Sequence, residues 1–199
     1  AVPYFIKDMN VPMHGTPFTV EVLRAILKDK HVHGYPSLVR HNPNSRFSVS
    51  EDIDVEFISM THSTPQNAAV AVHTPDGSVI YTPDFKLDNA PTLGLRPNYK
   101  RLKEMDNVKG LIFDSLYADE AGKSPSESVA RERLRDVLLG TTTDDSNIVA
   151  TTFSSQIARL KTMVELAEDI GRKPVIIGRS LARYIDAAKR AGIIDLERR

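Results

Sequence analysis

The 199-residue chain reads as an α/β protein, with a sheet-rich first part over residues 1–120 and a doubly wound α/β part over residues 121–199. The first observation behind this is a hairpin pattern: Val70-Ala71-Val72-His73 and Ser78-Val79-Ile80-Tyr81 flank the turn residues Pro75-Asp76-Gly77. The second is that two apolar runs, Ile148–Phe153 and Pro174–Ile177, are each followed by helical periodicity across a short link. Strand, helix and strand so connected imply a parallel sheet with right-handed crossovers.

The elements follow in order. Thr16-Pro17 opens a helix with a capping hydroxyl and a proline at the first helical position, and Val20, Leu23, Ile26 and Leu27 give it an apolar stripe. Residues 31–50 are polar and hold Pro36, Pro43 and Asn44, which predicts loop and short edge strands. Val55–Met60 alternates as a strand and delivers His62 at its C-terminal end. After the hairpin, Pro91, Leu93, Gly94 and Pro97 mark a loop, Leu102 lies in a short helical stretch, and Gly110–Phe113 is a buried strand ending at Asp114-Ser115. Ser124-Pro125-Ser126-Glu127 has the form of a capping box with proline at the first helical position, and its helix runs through Val129, Leu134, Val137 and Leu138 to Gly140. Past the run at 148–153, Ser154-Ser155 opens a helix through Ile157, Leu160, Val164 and Ala167 to Gly171. Past 174–177, a last helix carries Leu181, Ile185 and Ala188 and stops at Gly192.

Composition narrows the function classes. Lys and Arg number 26 and so do Asp and Glu, so no global field draws in nucleic acid, although a local groove can still be basic. The chain has no Cys, which excludes disulfides and thiolate metal sites and suits a reducing cytoplasm. No apolar run approaches membrane-spanning length and no secretory pattern opens the sequence, so a soluble cytoplasmic protein is expected.

The candidate chemistry starts with His62 and Asp84. One precedes the hairpin and the other follows it, so antiparallel pairing brings them to the same end of a sheet. Imidazole and carboxylate suit zinc, and a carboxylate can bridge two ions. Asp88 and Asp76 read as turn residues. His31-Val32-His33 has zinc-cluster spacing but lies in loop-like surroundings without an acidic partner, and it reads as a solvated turn. His14 and His41 read as lone residues, and His73 as a strand residue facing one side of the sheet. Thr151-Thr152-Phe153-Ser154-Ser155 is a junction whose N–H groups and hydroxyls could take a phosphate or simply cap a helix. Gly178-Arg179-Ser180 repeats that arrangement and adds a cation, at the sheet edge where α/β folds bind ligands. Asp114 could orient a catalytic group or cap the loop that follows it.

Taken in sequence, these motifs resemble the metallo-β-lactamase-fold nucleases that carry a β-CASP domain, most closely the ribonuclease J family of the archaeal kind. The resemblance rests on Val11-Pro12-Met13-His14-Gly15-Thr16, His62-Ser63-Thr64-Pro65, His73-Thr74-Pro75-Asp76-Gly77 and Thr82-Pro83-Asp84-Phe85-Lys86. It continues through Asp114-Ser115, Ser124–Glu127, Thr152–Ser155 and Gly178-Arg179-Ser180. It implies a partial metallo-β-lactamase αββα sandwich over 1–120, followed by the first part of a doubly wound β-CASP domain over 121–199. It also implies RNA phosphodiester hydrolysis with two zinc ions, by 5′-to-3′ exonuclease action, endonuclease action or both. His62 would be a zinc ligand and Asp84 the bridging carboxylate. Asp114 would hold the first acidic position of the β-CASP motifs and be catalytic together with Asp84, and Ser154, Ser155, Arg179 and Ser180 would lie against the RNA backbone. Partners would be RNA and a second subunit, and no membrane.

The sequence also departs from the family. The His-x-His-x-Asp-His motif would stand before residue 1, and the later β-CASP motifs after residue 199. Pro83 stands where the family has Gly, which removes a backbone donor and fixes φ beside Asp84. The 199 residues are therefore expected to hold at most half of a catalytic site, and to be inactive alone. A non-catalytic RNA-binding fragment or degenerate paralogue is the alternative, and a small-ester hydrolase of the same fold a third.

Overall fold

The computed structural model describes residues 2–140 and 146–196. Helix α1 (Val2–Met9) leads into β1 (Met13–Gly15) and α2 (Pro17–Asp29), then β2 (Leu38–Arg40). Strands β3 (Arg46–Ser48), β4 (Asp54–Ser59), β5 (Ala68–Thr74) and β6 (Gly77–Tyr81) follow. Next come the short helix α3 (Tyr99–Lys103), β7 (Val108–Ile112), and the helices α4 (Glu127–Gly140), α5 (Ile157–Asp169) and α6 (Arg179–Arg190).

β1 and β2 form a small parallel pair, and the remaining strands form one sheet in the order β3-β4-β5-β6-β7. β3 to β6 are antiparallel neighbours, while β7 lies parallel to β6. β4, β6 and β7 therefore all run in one direction, and the segments leaving them emerge at the same sheet end. That topology carries the chain into His62, Asp84 and Asp114 in turn.

The hairpin forms as its sequence predicts, with Thr74 opposite Gly77. Gly77 has φ +137°, and a Cβ there would stand 2.6 Å from the Asn107 carbonyl oxygen, so only glycine fits. On one sheet face Ile58, Met60, Ala69, Ala71 and Ile80 are buried beneath Phe85, Leu102 and Met105. A second core joins the two parts of the chain: Phe18 of α2 packs with Ile157 of α5 and with Ala187, Ala188 and Ile194 of α6 and its exit.

Helix ends follow the sequence with shifts of a few residues. α2 does start at Pro17, yet Thr16 makes no side-chain cap and its hydroxyl lies 3.0 Å from that of Thr19. The Phe18 N–H donates instead to Gln66 Oε1 at 2.9 Å, a cap reaching in from a distant loop. α4 starts at Glu127, so Ser126 rather than Ser124 precedes the helix, its Oγ accepting from the Ser128 N–H at 3.3 Å. Gly171 and Gly192 close α5 and α6 at φ +70° each.

The apolar runs 148–153 and 174–177 are a correction to the sequence reading. They pair with no strand among the described residues, and Val149, Phe153, Val175 and Ile177 are 74–86% exposed. An extended run becomes a strand only when another backbone meets its N–H and C=O groups. β7 bonds to β6 on one side, and neither run lies along its other edge. The helices of a doubly wound unit are thus present, while the parallel sheet between them is not formed among the described residues.

Candidate active site

Beyond the ends of β4 and β6 lies a cleft of ≈ 520 Å³, lined on one side by Thr61–Asn67, Asp84, Lys86 and Asp88, and on the other by Glu127, Phe153, Ser155, Gln156 and Arg159. His62 and Asp84 both reach this cleft and both are exposed. His62 Nδ1 lies 3.2 Å from Ser63 Oγ. A proton on Nδ1 donated to that hydroxyl leaves the Nε2 lone pair for a metal. The Asp84 backbone is held by Asn67, whose Nδ2 donates to the Asp84 carbonyl at 2.9 Å. Thr61 and Lys86 form an antiparallel bridge, the Lys86 N–H donating to the Thr61 carbonyl at 2.7 Å, so the two candidate ligands leave a common anchor.

The two donors fit zinc in kind but not in number. Imidazole and carboxylate are zinc ligands, yet a zinc site uses three or four protein donors. Among the described residues no group of three or more His, Cys, Asp or Glu side chains converges on one point. Where a metal is held here, His62 and Asp84 would supply part of its coordination.

The other candidates divide. Ser155 lines the cleft, whereas Ser154, Arg179 and Ser180 are not among its lining residues. Gln156 holds the N-cap position of α5, without a side-chain cap bond. Arg179 and Ser180 open α6 after Gly178 and are exposed. Asp114 lies outside the cleft lining: its N–H donates to Thr82 Oγ1 at 3.3 Å, and its Oδ1 accepts from the Leu116 N–H at 3.0 Å. That geometry is the loop-capping reading of Asp114.

Several contributors escape a linear reading. Asp88, read as a turn residue, is 5% exposed at the cleft. Burial opposes its ionisation, but bonds from the Ser126 hydroxyl and the Glu127 and Ala90 N–H groups, with Lys86 nearby, outweigh that and hold its carboxyl below the usual range. Glu127 takes both arms of Arg159, at 2.5 and 3.0 Å, which raises the guanidinium's proton affinity despite burial. Tyr117 and Phe153 are large exposed aromatics on the lining. The fixed charges there, Asp84, Asp88 and Glu127 against Lys86 and Arg159, are net acidic.

The remaining histidines are accounted for elsewhere. His14 and His41 are not alone: pairing of β1 with β2 brings their rings together at 2.8 Å (Nδ1 to Nε2), stacked against Phe47. Burial, then repulsion from His14, holds His41 below the usual imidazole value. His73 sits between Ser78 Oγ at 2.8 Å and Glu56 Oε2 at 2.9 Å. His31, at φ +52°, turns the chain off α2 while Val32 is buried, and among the described residues no group of three or more His, Cys, Asp or Glu side chains forms around it.

A family model described as ribonuclease J, beta-CASP domain, matches residues 145–199. A ribonuclease J of Pyrococcus abyssi (strain GE5 / Orsay) is 41% identical over 94% of this chain and 42% of its own length. The chain is a homologue of ribonuclease J.

A ribonuclease J of Methanocaldococcus jannaschii is 38% identical over 98% of the chain and 44% of its own length. One from Thermus thermophilus is 31% identical over 98% and 34%. The chain spans less than half the length of these ribonuclease J relatives. The resemblance expected from the motifs is met, archaeal relatives included. A crystal structure of an Enterococcus faecalis V583 protein of unknown function shares the fold, with TM-score 0.61 at 16% identity over 86% of this chain and 49% of that one. No helix among the described residues is long and apolar enough to cross a membrane.

Proposed function

We propose that this chain forms part of a zinc-dependent ribonuclease of the ribonuclease J type. Residues 1–120 are then a partial metallo-β-lactamase αββα sandwich, and residues 121–199 the first part of a β-CASP domain. The observation that carries the reading is that His62 and Asp84 meet the Ser155 turn across one cleft, in a chain related to ribonuclease J hydrolases over nearly its whole length.

His62 and Asp84 are the metal-holding residues in this reading, with Asp84 the bridging carboxylate. Bound zinc would supply Lewis acidity at the scissile phosphate and acidify a water. The chain's own residues do the rest. Ser155 faces the RNA backbone in this reading, and the faces of Tyr117 and Phe153 offer stacking surfaces to bases. Ser154, Arg179 and Ser180 extend that surface beyond the cleft, and Asp114 shapes the loop carrying Tyr117. Charge supports a cation requirement: a net acidic cleft repels a phosphodiester until cations are added. RNA is the substrate on this reading, and a second subunit a possible partner.

The test uses the full-length protein. His62→Ala and Asp84→Ala should each lower RNA cleavage by at least about 100-fold, the order expected when a catalytic electrostatic group is lost, and should lower bound zinc. Wild-type cleavage in either variant would refute the reading. RNA affinity that is salt-dependent but zinc-independent, without cleavage, would replace it with the binding-module alternative.

A further inference from the structure

We propose that Asp88 is the positioning residue that sets the span of the cleft, by fastening the segment carrying Asp84 to the helices behind Ser155. The inference rests on the ribonuclease reading for its kinetic consequence, though not for its geometry.

Asp88 faces both halves. Through its backbone it belongs to the metal side: its N–H donates to Thr61 Oγ1 at 3.1 Å, and Thr61 precedes His62 and is bridged to Lys86, two residues beyond Asp84. Its carboxylate accepts from the Ala90 N–H at 2.9 Å and lies 3.7 Å from Lys86 Nζ on the same side, and it also reaches the other side. Oδ1 accepts from Ser126 Oγ at 2.6 Å, and Oδ2 from the Glu127 N–H at 2.7 Å, at the first turn of α4. Glu127 then grips Arg159 of α5 with both carboxylate oxygens, one turn beyond Ser155 and Gln156. The path from His62 to Ser155 thus runs along the chain to Thr61, by hydrogen bonds through Asp88 and Glu127 to Arg159, and back along the first turn of α5.

The geometry also separates what the carboxylate does from what the backbone does. The Thr61–Lys86 bridge and the Asn67 bond to the Asp84 carbonyl do not involve the Asp88 side chain. Altering that side chain leaves His62 and Asp84 anchored to each other while freeing α4 and α5 to drift. An amide in place of the carboxylate turns an N–H₂ group toward an obligate donor, either the Glu127 N–H or the Ala90 N–H, and so weakens the clasp without changing volume, although the Ser126 hydroxyl, with the Ala90 carbonyl 2.9 Å away for its own proton, can still accept. The loss falls on the grip on RNA, not on metal binding.

The experiment compares Asp88→Asn with wild type in the full-length protein, with Ser126→Ala as a milder variant that removes one donor and keeps the carboxylate. Zinc content and kcat should stay within about threefold of wild type, while KM for RNA rises about tenfold or more. A second readout is independent of activity. Spin labels placed by cysteine substitution at Thr64, on one wall of the cleft, and at Ser154, just outside the lining beside Ser155, should give a broader distance distribution in the variant than with Asp88 intact. An unchanged KM and distance distribution in a folded variant would overturn the proposal, as would zinc and kcat lost together with KM unmoved. Should Asp88→Asn fail to fold, Ser126→Ala must show the same split at smaller size, and a wild-type profile there overturns the proposal equally. If the wild-type protein neither binds zinc nor cleaves RNA, the ribonuclease reading falls, and the label distances still decide the clasp.

Discussion

Replacing Glu56 by Ala tests the packing that holds the sheet end in place. Glu56 is 7% exposed on the sheet face beneath α3. Its carboxylate accepts from Arg101 Nε at 2.7 Å and Nη2 at 2.9 Å, and lies 2.9 Å from His73 Nε2. Breaking a fully buried ion pair by removing one partner costs about 3–5 kcal/mol. The Arg101 side chain is 29% exposed and can turn partly to water, so the loss here should be about 2–3 kcal/mol. At about 2–4 °C per kcal/mol for a domain of this size, the melting midpoint should fall by about 4–12 °C. The pH dependence has a definite sign. The Arg101 bonds hold the Glu56 carboxyl below its ordinary 4.5, burial opposes them, and His73 assists. The contribution is therefore complete above the unfolded value and is lost as pH falls through the folded one. Thermal unfolding followed by circular dichroism from pH 7 to pH 3 should show the gap between wild type and Glu56→Ala constant at first, then closing in acid. A gap under about 1 °C at pH 7, or one that widens in acid, would refute the reasoning.

Two further outcomes are expected. His14→Gln removes the repulsion on His41 but leaves its burial, so the His41 titration followed by NMR should move part of the way up toward the ordinary imidazole value; an unmoved midpoint would show that the pair is not coupled. Because His41 is held low, its contribution to stability is present above pH 6.5 and lost as pH falls through its folded value. Gly77→Ala forces a side chain into φ +137° and against the Asn107 carbonyl, and should cost about 1–3 kcal/mol by thermal unfolding; an unchanged midpoint would mean the turn can relax.

The hairpin was legible because local chemistry settles it: Pro75-Asp76-Gly77 between alternating runs has few other solutions. The same pattern brought His62 and Asp84 to one sheet end, since antiparallel pairing fixes which ends coincide. What the sequence hid depends on contacts between distant residues. Asp88 and Ser126 are 38 positions apart, and nothing local distinguishes a clasping aspartate from a turn aspartate. His14 and His41 meet only because β1 pairs with β2 in parallel, a pairing that three-residue strands do not announce. The Gln66 cap on α2 has the same origin: the expected acceptor for the first helical N–H groups was the nearby Thr16 hydroxyl, and tertiary packing supplied another for Phe18. The runs at 148–153 and 174–177 failed as strands for the opposite reason. Their composition is right, but strand formation is a property of two segments, and the second is missing for each among the described residues.

The central claim is that His62 and Asp84 serve one metal centre. Anomalous diffraction at the zinc edge from crystals of the full-length protein tests it directly. The account predicts zinc density with a His62 ring nitrogen and an Asp84 carboxylate oxygen each about 2.0–2.2 Å away. Zinc bound elsewhere in the protein, with these two side chains turned apart from each other, would contradict it.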